Sequence, residues 1–320
     1  MSTRSRASTP ARDSSARETV AISLVMPVWR PRPKWLRAAV ENALSQTGCE
    51  LELIVVDDGS PRPIASHLAG LDDPRLRLLR VPHGGTSHAR NAGQAVARGN
   101  WIRFVDYDDL LPPDSTAHLV ELAGSDAIAY GATVWCDEAC RPTVKIESSL
   151  AGHLVRECLL DRFPVTLPAM LFPRWVVDRV GEWDSEIAVC QDWDFVLRAL
   201  EHAPVRGDDR TALFYRRHPD GASAGTAGAN ESMRLAAEGM GLVLDRYFER
   251  HPEQRGTQLE RRARASVELV LARSHREAYL AHLGRALQDC PSAALRELIG
   301  LPRALAARSR LRVLRALRGS

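Results

Sequence analysis

Between residues 20 and 105 the chain alternates four apolar runs of strand length with segments of helical period, and this alternation constrains the fold more than any other feature. The run Val20-Ala-Ile-Ser-Leu-Val-Met-Pro reads as a strand buried on both faces, because it lacks the polar-apolar alternation of a half-exposed one. Trp35, Leu36, Ala39, Val40, Ala43 and Leu44 then fall on one face of a helix. Leu51-Glu-Leu-Ile-Val-Val-Asp supplies a second strand, residues 61–71 a short helix, 75–81 a third strand, 87–98 a helix and 101–105 a fourth strand. Strand-helix units in this order need crossover connections, so the strands run parallel in a doubly wound α/β sheet.

Beyond residue 110 the strict alternation fades. Helices are expected near 114–123, 150–160, 174–180 and 192–202, and strands near 127–135, 144–147 and 212–216, as α+β material that completes the sheet. From about residue 230 only helical patterns remain, over 231–250, 258–288 and 292–318. The expected organisation is a disordered lead-in over 1–18, an α/β domain over 19–228 and a helical C-terminal region over 229–320, divided at the glycine-rich stretch 221–228. With 320 residues, 45% of them hydrophobic, the chain can bury a core, which excludes a disordered, collagenous or disulfide-scaffold protein. No run approaches the roughly 18 apolar residues of a spanning helix. The opening MSTRSRASTPARDSSARE lacks the apolar core of a secretory signal, so a cytoplasmic location is expected. In that compartment the six scattered cysteines read as buried thiols, and Cys136 and Cys140 have no second pair at zinc-site spacing.

Ligands of open α/β sheets bind at the C-terminal ends of the strands, and two acidic clusters stand there. Asp57-Asp58-Gly59-Ser60 ends the second strand and Asp106-Tyr107-Asp108-Asp109 the fourth. Carboxylates so placed repel one another, and a divalent cation held by hard oxygen ligands is the plainest remedy; helix caps and turns account for one Asp in each cluster more easily than for both. A dinucleotide-binding oxidoreductase would need a glycine-rich turn after the first strand, whereas this chain has Pro27-Val28-Trp29-Arg30-Pro31-Arg32-Pro33.

Six segments together carry a family resemblance. They are Ser23-Leu24-Val25-Met26-Pro27-Val28-Trp29, Val56-Asp57-Asp58-Gly59-Ser60, Gly85-Thr86-Ser87-His88-Ala89-Arg90-Asn91-Ala92-Gly93, Phe104-Val105-Asp106-Tyr107-Asp108-Asp109, Gln191-Asp192-Trp193-Asp194 and Tyr215-Arg216-Arg217-His218. In this order and spacing the chain resembles a family 2 glycosyltransferase of the GT-A fold over residues 21–223. The resemblance implies a Rossmann-like nucleotide-binding sheet with a C-terminal helical region, and an inverting, metal-dependent, hexosyltransferase-type enzyme that uses a nucleotide-sugar donor.

The resemblance also implies roles for individual residues. Pro27, Val28, Trp29 and either Asp57 or Asp58 would cradle the nucleobase and ribose, the carboxylate accepting from a uracil-type N–H. Arg90 would lie near the base or diphosphate, where a guanidinium suits phosphate oxygens; the alternative is a salt bridge on a surface helix. Asp106 would meet the ribose or the metal, and Asp108 would bind Mg²⁺ or Mn²⁺ in a DXD motif whose middle residue, Tyr107, is larger than usual. His218 would lie near the metal or diphosphate, or else be structural. Asp192 would be the general base, though a first-turn acid on an amphipathic helix is equally what a helix dipole favours, and Gln191 stands where Glu is frequent. Trp183 and Trp193 fit the core better than an acceptor site.

The donor nucleotide expected is UDP or dTDP, and the acceptor a polysaccharide or other glycan, a lipid-linked intermediate or a small molecule. Glycoconjugate biosynthesis is the setting implied. A noncatalytic nucleotide- or glycan-binding protein that keeps the fold is the alternative, prompted by Gln191 and Tyr107. Residues 251–320 hold 14 Arg against 6 acidic residues, although the whole chain carries only +3. Its end, 301–320, has six Arg interleaved with leucines and could lie on an anionic membrane surface at the cytoplasmic face, or stand as a solvated tail. No nucleic-acid-binding module is present in the sequence, so no nucleic-acid partner is expected.

Overall fold

The computed structural model describes residues 21–160, 162–163, 166–219 and 229–274, with positions 282, 285, 286 and 288. The expected lead-in, the glycine-rich boundary and the basic segment 301–320 lie outside the described residues. The first half alternates as expected: β1 (Ile22–Val28), α1 (Pro33–Leu44), β2 (Leu51–Asp58), a 3-10 turn (Ile64–Leu68), β3 (Leu76–Val81), α2 (Gly85–Val96) and β4 (Trp101–Phe104). Then follow α3 (Ser115–Ala123), β5 (Ile128–Cys136), β6 (Pro142–Ile146), α4 (Val155–Leu159), β7 (Met170–Pro173), α5 (Arg174–Val180), α6 (Gln191–Leu200) and β8 (Val205–Arg216). Helices α7 (Ala229–Arg250) and α8 (Gln258–Ser274) close the described chain. Two expectations need correction: β7 was not foreseen, and β8 begins seven residues before the strand expected at 212–216.

All eight strands form one sheet, with β3, β2, β1 and β4 side by side and parallel. β7 joins antiparallel to β4 and then to β5; β6 pairs antiparallel with β5 further along, and β8 runs parallel to β5. The strand order reverses between β1 and β4, which places the ligand crevice of an open sheet at their C-terminal ends.

The buried runs of β1 and β2 divide by alternation between two cores. Leu24, Met26, Leu53 and Val55 pack with α1 and α3 on one face; Val25, Ile54 and Val56 pack with α2, α5 and α6 on the other. Gly93 lets α2 lie directly on this second face, because a Cβ there would stand 2.5 Å from a Val25 methyl. The helices set apart by sequence after residue 228 share this core, through Ala237, Val243, Leu244, Tyr247 and Phe248 of α7 and Ala263 and Val267 of α8. The thiols of Cys136 and Cys158 are buried as expected, whereas those of Cys49, Cys140 and Cys190 are only partly so.

Arg103 of β4 is wholly buried and pairs with no carboxylate among the described residues; burial pulls its pKa down to about 9. Its guanidinium donates to the carbonyls of Pro168 and Ala212 and to the hydroxyls of Ser115 and Thr116, tying β7, β8 and α3 to the sheet. Arg103→Leu strands two buried carbonyls at about 1–3 kcal/mol each. We expect a loss of about 2–6 kcal/mol in urea unfolding, with the same m-value.

Candidate active site

The acidic clusters are not left to repel one another, because most of their carboxylates are satisfied by the protein itself. Asp57, almost fully buried, accepts from the Ser60 and Ile64 backbone N–H groups at 2.9 and 3.3 Å and pairs with Arg80. Burial raises its pKa, but these hydrogen bonds outweigh that and hold it below the usual range. Asp58 accepts from the Gly84 and Gly85 N–H groups, both at 2.9 Å, and from His83 Nδ1 at 2.7 Å. Asp109 turns inward and accepts from the Arg216 N–H at 2.8 Å; burial first, then Asp108 and Asp106, push its pKa well up. The expectation that a cation relieves both clusters is therefore corrected for Asp57 and Asp58, which are held by N–H donors that the sequence pattern does not reveal, whereas the buried Oδ2 of Asp109 has no partner among the described residues.

What faces the crevice is a smaller set. Asp106 leaves the end of β4 with its side chain 31% exposed, and its pKa is pushed up to about 6 by burial and by the charges of Asp108 and Asp192, against the opposing effect of Arg90. Asp108 and Asp192, 84 positions apart in the chain, thus both bear electrostatically on Asp106. Asp108 Oδ2 lies 2.9 Å from Nε2 of the buried His218, whose Nδ1 has no partner among the described residues. The two meet because Leu110 and Phe214 form an antiparallel bridge, 3.1 and 2.8 Å, that clips the acidic loop to the end of β8. Arg216 reinforces the clip, donating from Nε to the Asp108 carbonyl at 2.7 Å and from Nη1 to the Glu138 carbonyl at 2.5 Å. Trp35, expected in the core, instead sets its ring edge-on to His218, 4.6 Å between centroids.

Arg90 is buried rather than part of a surface ion pair. It stands 3.4 Å from Asp106 with its guanidinium 4.5 Å from the Trp183 ring centroid, and its Nε and Nη1 have no partner among the described residues. Two reciprocal bonds hold its helix to the Trp183 loop: Asn91 Nδ2 donates to the Trp183 carbonyl at 3.0 Å, and the Trp183 N–H to Asn91 Oδ1 at 2.7 Å. Trp183 itself is core, stacked on Phe195 at 4.0 Å.

Asp192 opens α6, exposed, with Oδ1 accepting the N–H of Trp193 at 2.9 Å. The neighbouring acid on this helix takes the structural role, since Asp194 is buried and paired with Arg198 at 2.7 Å. Cys190, at φ +68°, turns the chain into α6, and its thiol donates to the Ala236 carbonyl of α7 at 3.4 Å. Pro27 and Val28 end β1 beside β2, and Trp29 follows, 41% exposed, with Arg30 4.4 Å from its ring and His83 stacked on it. Sequence reasoning missed His83 and Arg80, and gave Arg216 and Trp35 no part in the site.

No group of three or more His, Cys, Asp or Glu side chains gathers to hold a metal among the described residues. Asp108 and His218 nevertheless fit a cation shared with a ligand, since Mg²⁺-type ions commonly take one or two protein groups and complete their shell with phosphate oxygens and water.

A parallel sheet with a cleft of acids, a buried arginine and an exposed indole at its switch point is the arrangement of a GT-A fold. Residues 23–165 match the family model described as Glycosyl transferase family 2. Over 138 residues the chain is 38% identical to "Succinoglycan biosynthesis protein ExoO" of Rhizobium meliloti (strain 1021), covering 42% of this chain and 37% of that one. It is 35% identical over 214 residues to "Uncharacterized glycosyltransferase EpsJ" of Bacillus subtilis (strain 168), 62% of either chain. The chain thus spans less than two thirds of both relatives. In fold it resembles S. aureus TarS 1-349, solved in complex with UDP-GlcNAc, with a TM-score of 0.52 at 17% identity over 86% of this chain and 82% of that one. Among the described residues no helix is long and apolar enough to cross a membrane.

Proposed function

We propose that this protein transfers one sugar, with inversion, from a nucleoside diphosphate (UDP or dTDP) to an acceptor hydroxyl by single displacement. The observation that carries the proposal is the meeting of Asp106, the Asp108–His218 pair, Arg90 and Asp192 at the crevice between β1 and β4. Asp192, exposed at its helix start, takes the proton of the acceptor hydroxyl as its oxygen attacks the anomeric carbon. Arg90, with two uncommitted donor nitrogens, meets the diphosphate. Asp106, 3.4 Å from Arg90, meets the ribose or the metal. Asp108 and His218 would hold Mg²⁺ or Mn²⁺, which supplies Lewis-acid stabilisation of the charge that develops on the leaving diphosphate. The name of ExoO supports a place in polysaccharide biosynthesis; the acceptor is a glycan, a lipid-linked intermediate or a small molecule.

The test is turnover of a panel of UDP-, dTDP- and GDP-sugars by the purified protein, with Mn²⁺, Mg²⁺ or chelator. Slow hydrolysis of one donor that stops with chelator supports the proposal. Nucleotide binding with no turnover of any donor, with or without candidate acceptors, returns the protein to the noncatalytic reading that Gln191 and Tyr107 first suggested.

A further inference from the structure

We infer that His83 is a built-in occupant of the nucleobase position, which an incoming nucleotide must displace; the inference rests on the nucleotide-sugar reading given above. The His83 imidazole lies flat on the Trp29 indole, 4.7 Å between centroids and 7° between planes. Its Nδ1 stands 2.7 Å from Asp58 Oδ2 and 3.1 Å from the Asp58 carbonyl. Both neighbours are acceptors, so Nδ1 carries the hydrogen and donates. A planar ring stacked on the aromatic residue that follows β1, giving an N–H to a carboxylate at the end of β2, makes the two contacts expected of a uracil or thymine ring.

The surroundings suit an exchange. Both rings are well exposed, Trp29 by 41% and the His83 side chain by 51%. Gly84 and Gly85 follow His83, and Gly85 has a φ of +88° with no heavy atom near its Cβ position, which gives the segment room to turn. Asp58 does not depend on His83 for its orientation, because the Gly84 and Gly85 N–H groups hold one oxygen each at 2.9 Å. When the imidazole leaves, Oδ2 regains an acceptor site that a base N–H can fill, and one charge-assisted hydrogen bond replaces another. Cytosine, whose ring N3 is an acceptor, can offer Asp58 only its exocyclic amine and makes a poorer replacement.

A binding site that is competent only when His83 is out has its apparent affinity reduced by the fraction of molecules in that state. His83→Ala should therefore bind UDP about three- to tenfold more tightly than wild type by isothermal titration calorimetry in Mg²⁺. Pyrophosphate, which has no base, should bind both proteins equally, and CDP should gain less than UDP. Equal or weaker UDP binding by His83→Ala overturns the inference and makes His83 a bystander or a direct ligand of the base. If neither UDP nor pyrophosphate binds either protein while both melt at the same temperature, the nucleotide reading itself fails and the inference falls with it. Intrinsic fluorescence gives a second readout, since UDP should exchange the ring stacked on Trp29 in wild type and cover a bare indole in the variant.

Discussion

Asp192→Asn should bind UDP as wild type does and lose transfer by about 10²–10⁴-fold, the range over which a positioned general base acts. Asparagine keeps the Oδ1 acceptor that the Trp193 N–H uses, so the first turn of α6 stays formed. What disappears is the basic oxygen. Because this acid is exposed and lies in the first turn, the substitution also removes a favourable charge near a helix N-terminus, at about 0.3–1 kcal/mol. Stability and turnover thus respond on different scales: a melting temperature within a few degrees alongside a collapse in rate identifies a base. A comparable fall in both would make Asp192 a helix cap and leave the chemistry without its proton acceptor. Asp194→Asn is the matched control, two positions along the same helix. It breaks a buried pair with Arg198 and should cost stability while sparing the proton transfer.

How much of this was legible in the sequence depended on whether the cause was local. β1, β2 and β4 could be read because strands buried on both faces are near-continuous apolar runs, here broken inside the sheet only by Ser23, Glu52 and Arg103, and α5 because its period is undisturbed from Arg174 to Val180. β7 escaped because it is four residues long, follows Pro168 and ends at Pro173, where a proline-bounded apolar run reads as loop. The site shows the same division. Charge clustering and the family resemblance singled out Asp106, Asp108, His218 and Asp192. Neither could show that Asp57 and Asp58 are consumed by backbone donors from the turns that follow β2 and β3, since those donors carry no side-chain signature. Arg216 and Trp35 act on the acidic loop from elements more than sixty residues away, joined to it only when β8 comes to lie beside Leu110. The stacking of His83 on Trp29 is likewise a product of the parallel pairing of β1, β2 and β3, which brings two distant strand ends to one rim.

The second large effect is expected at Asp108, and its neighbour separates a ligand from a merely acidic loop. Asp108→Ala removes the carboxylate that His218 faces, while the Asp108 carbonyl still accepts from Arg216 and the Leu110–Phe214 bridge still fixes the loop. Transfer should fall by about 10²–10³-fold, or about 3–4 kcal/mol of transition-state stabilisation, and the dependence of UDP affinity on Mn²⁺ should vanish. Asp109→Asn probes the adjacent carboxyl. Asparagine retains the Oδ1 that accepts the Arg216 N–H, so this variant should keep both Mn²⁺ dependence and transfer within about threefold of wild type, a cost of about 0.7 kcal/mol. His218→Ala should follow Asp108→Ala in losing the Mn²⁺ effect, because the two side chains meet at 2.9 Å. If Asp109→Asn abolishes the metal effect instead, the ligand has been assigned to the wrong member of the cluster. If both aspartate variants keep it, the acidic loop serves to hold β8 against the sheet, and the charge on the leaving diphosphate must be met by Arg90 and its two uncommitted nitrogens.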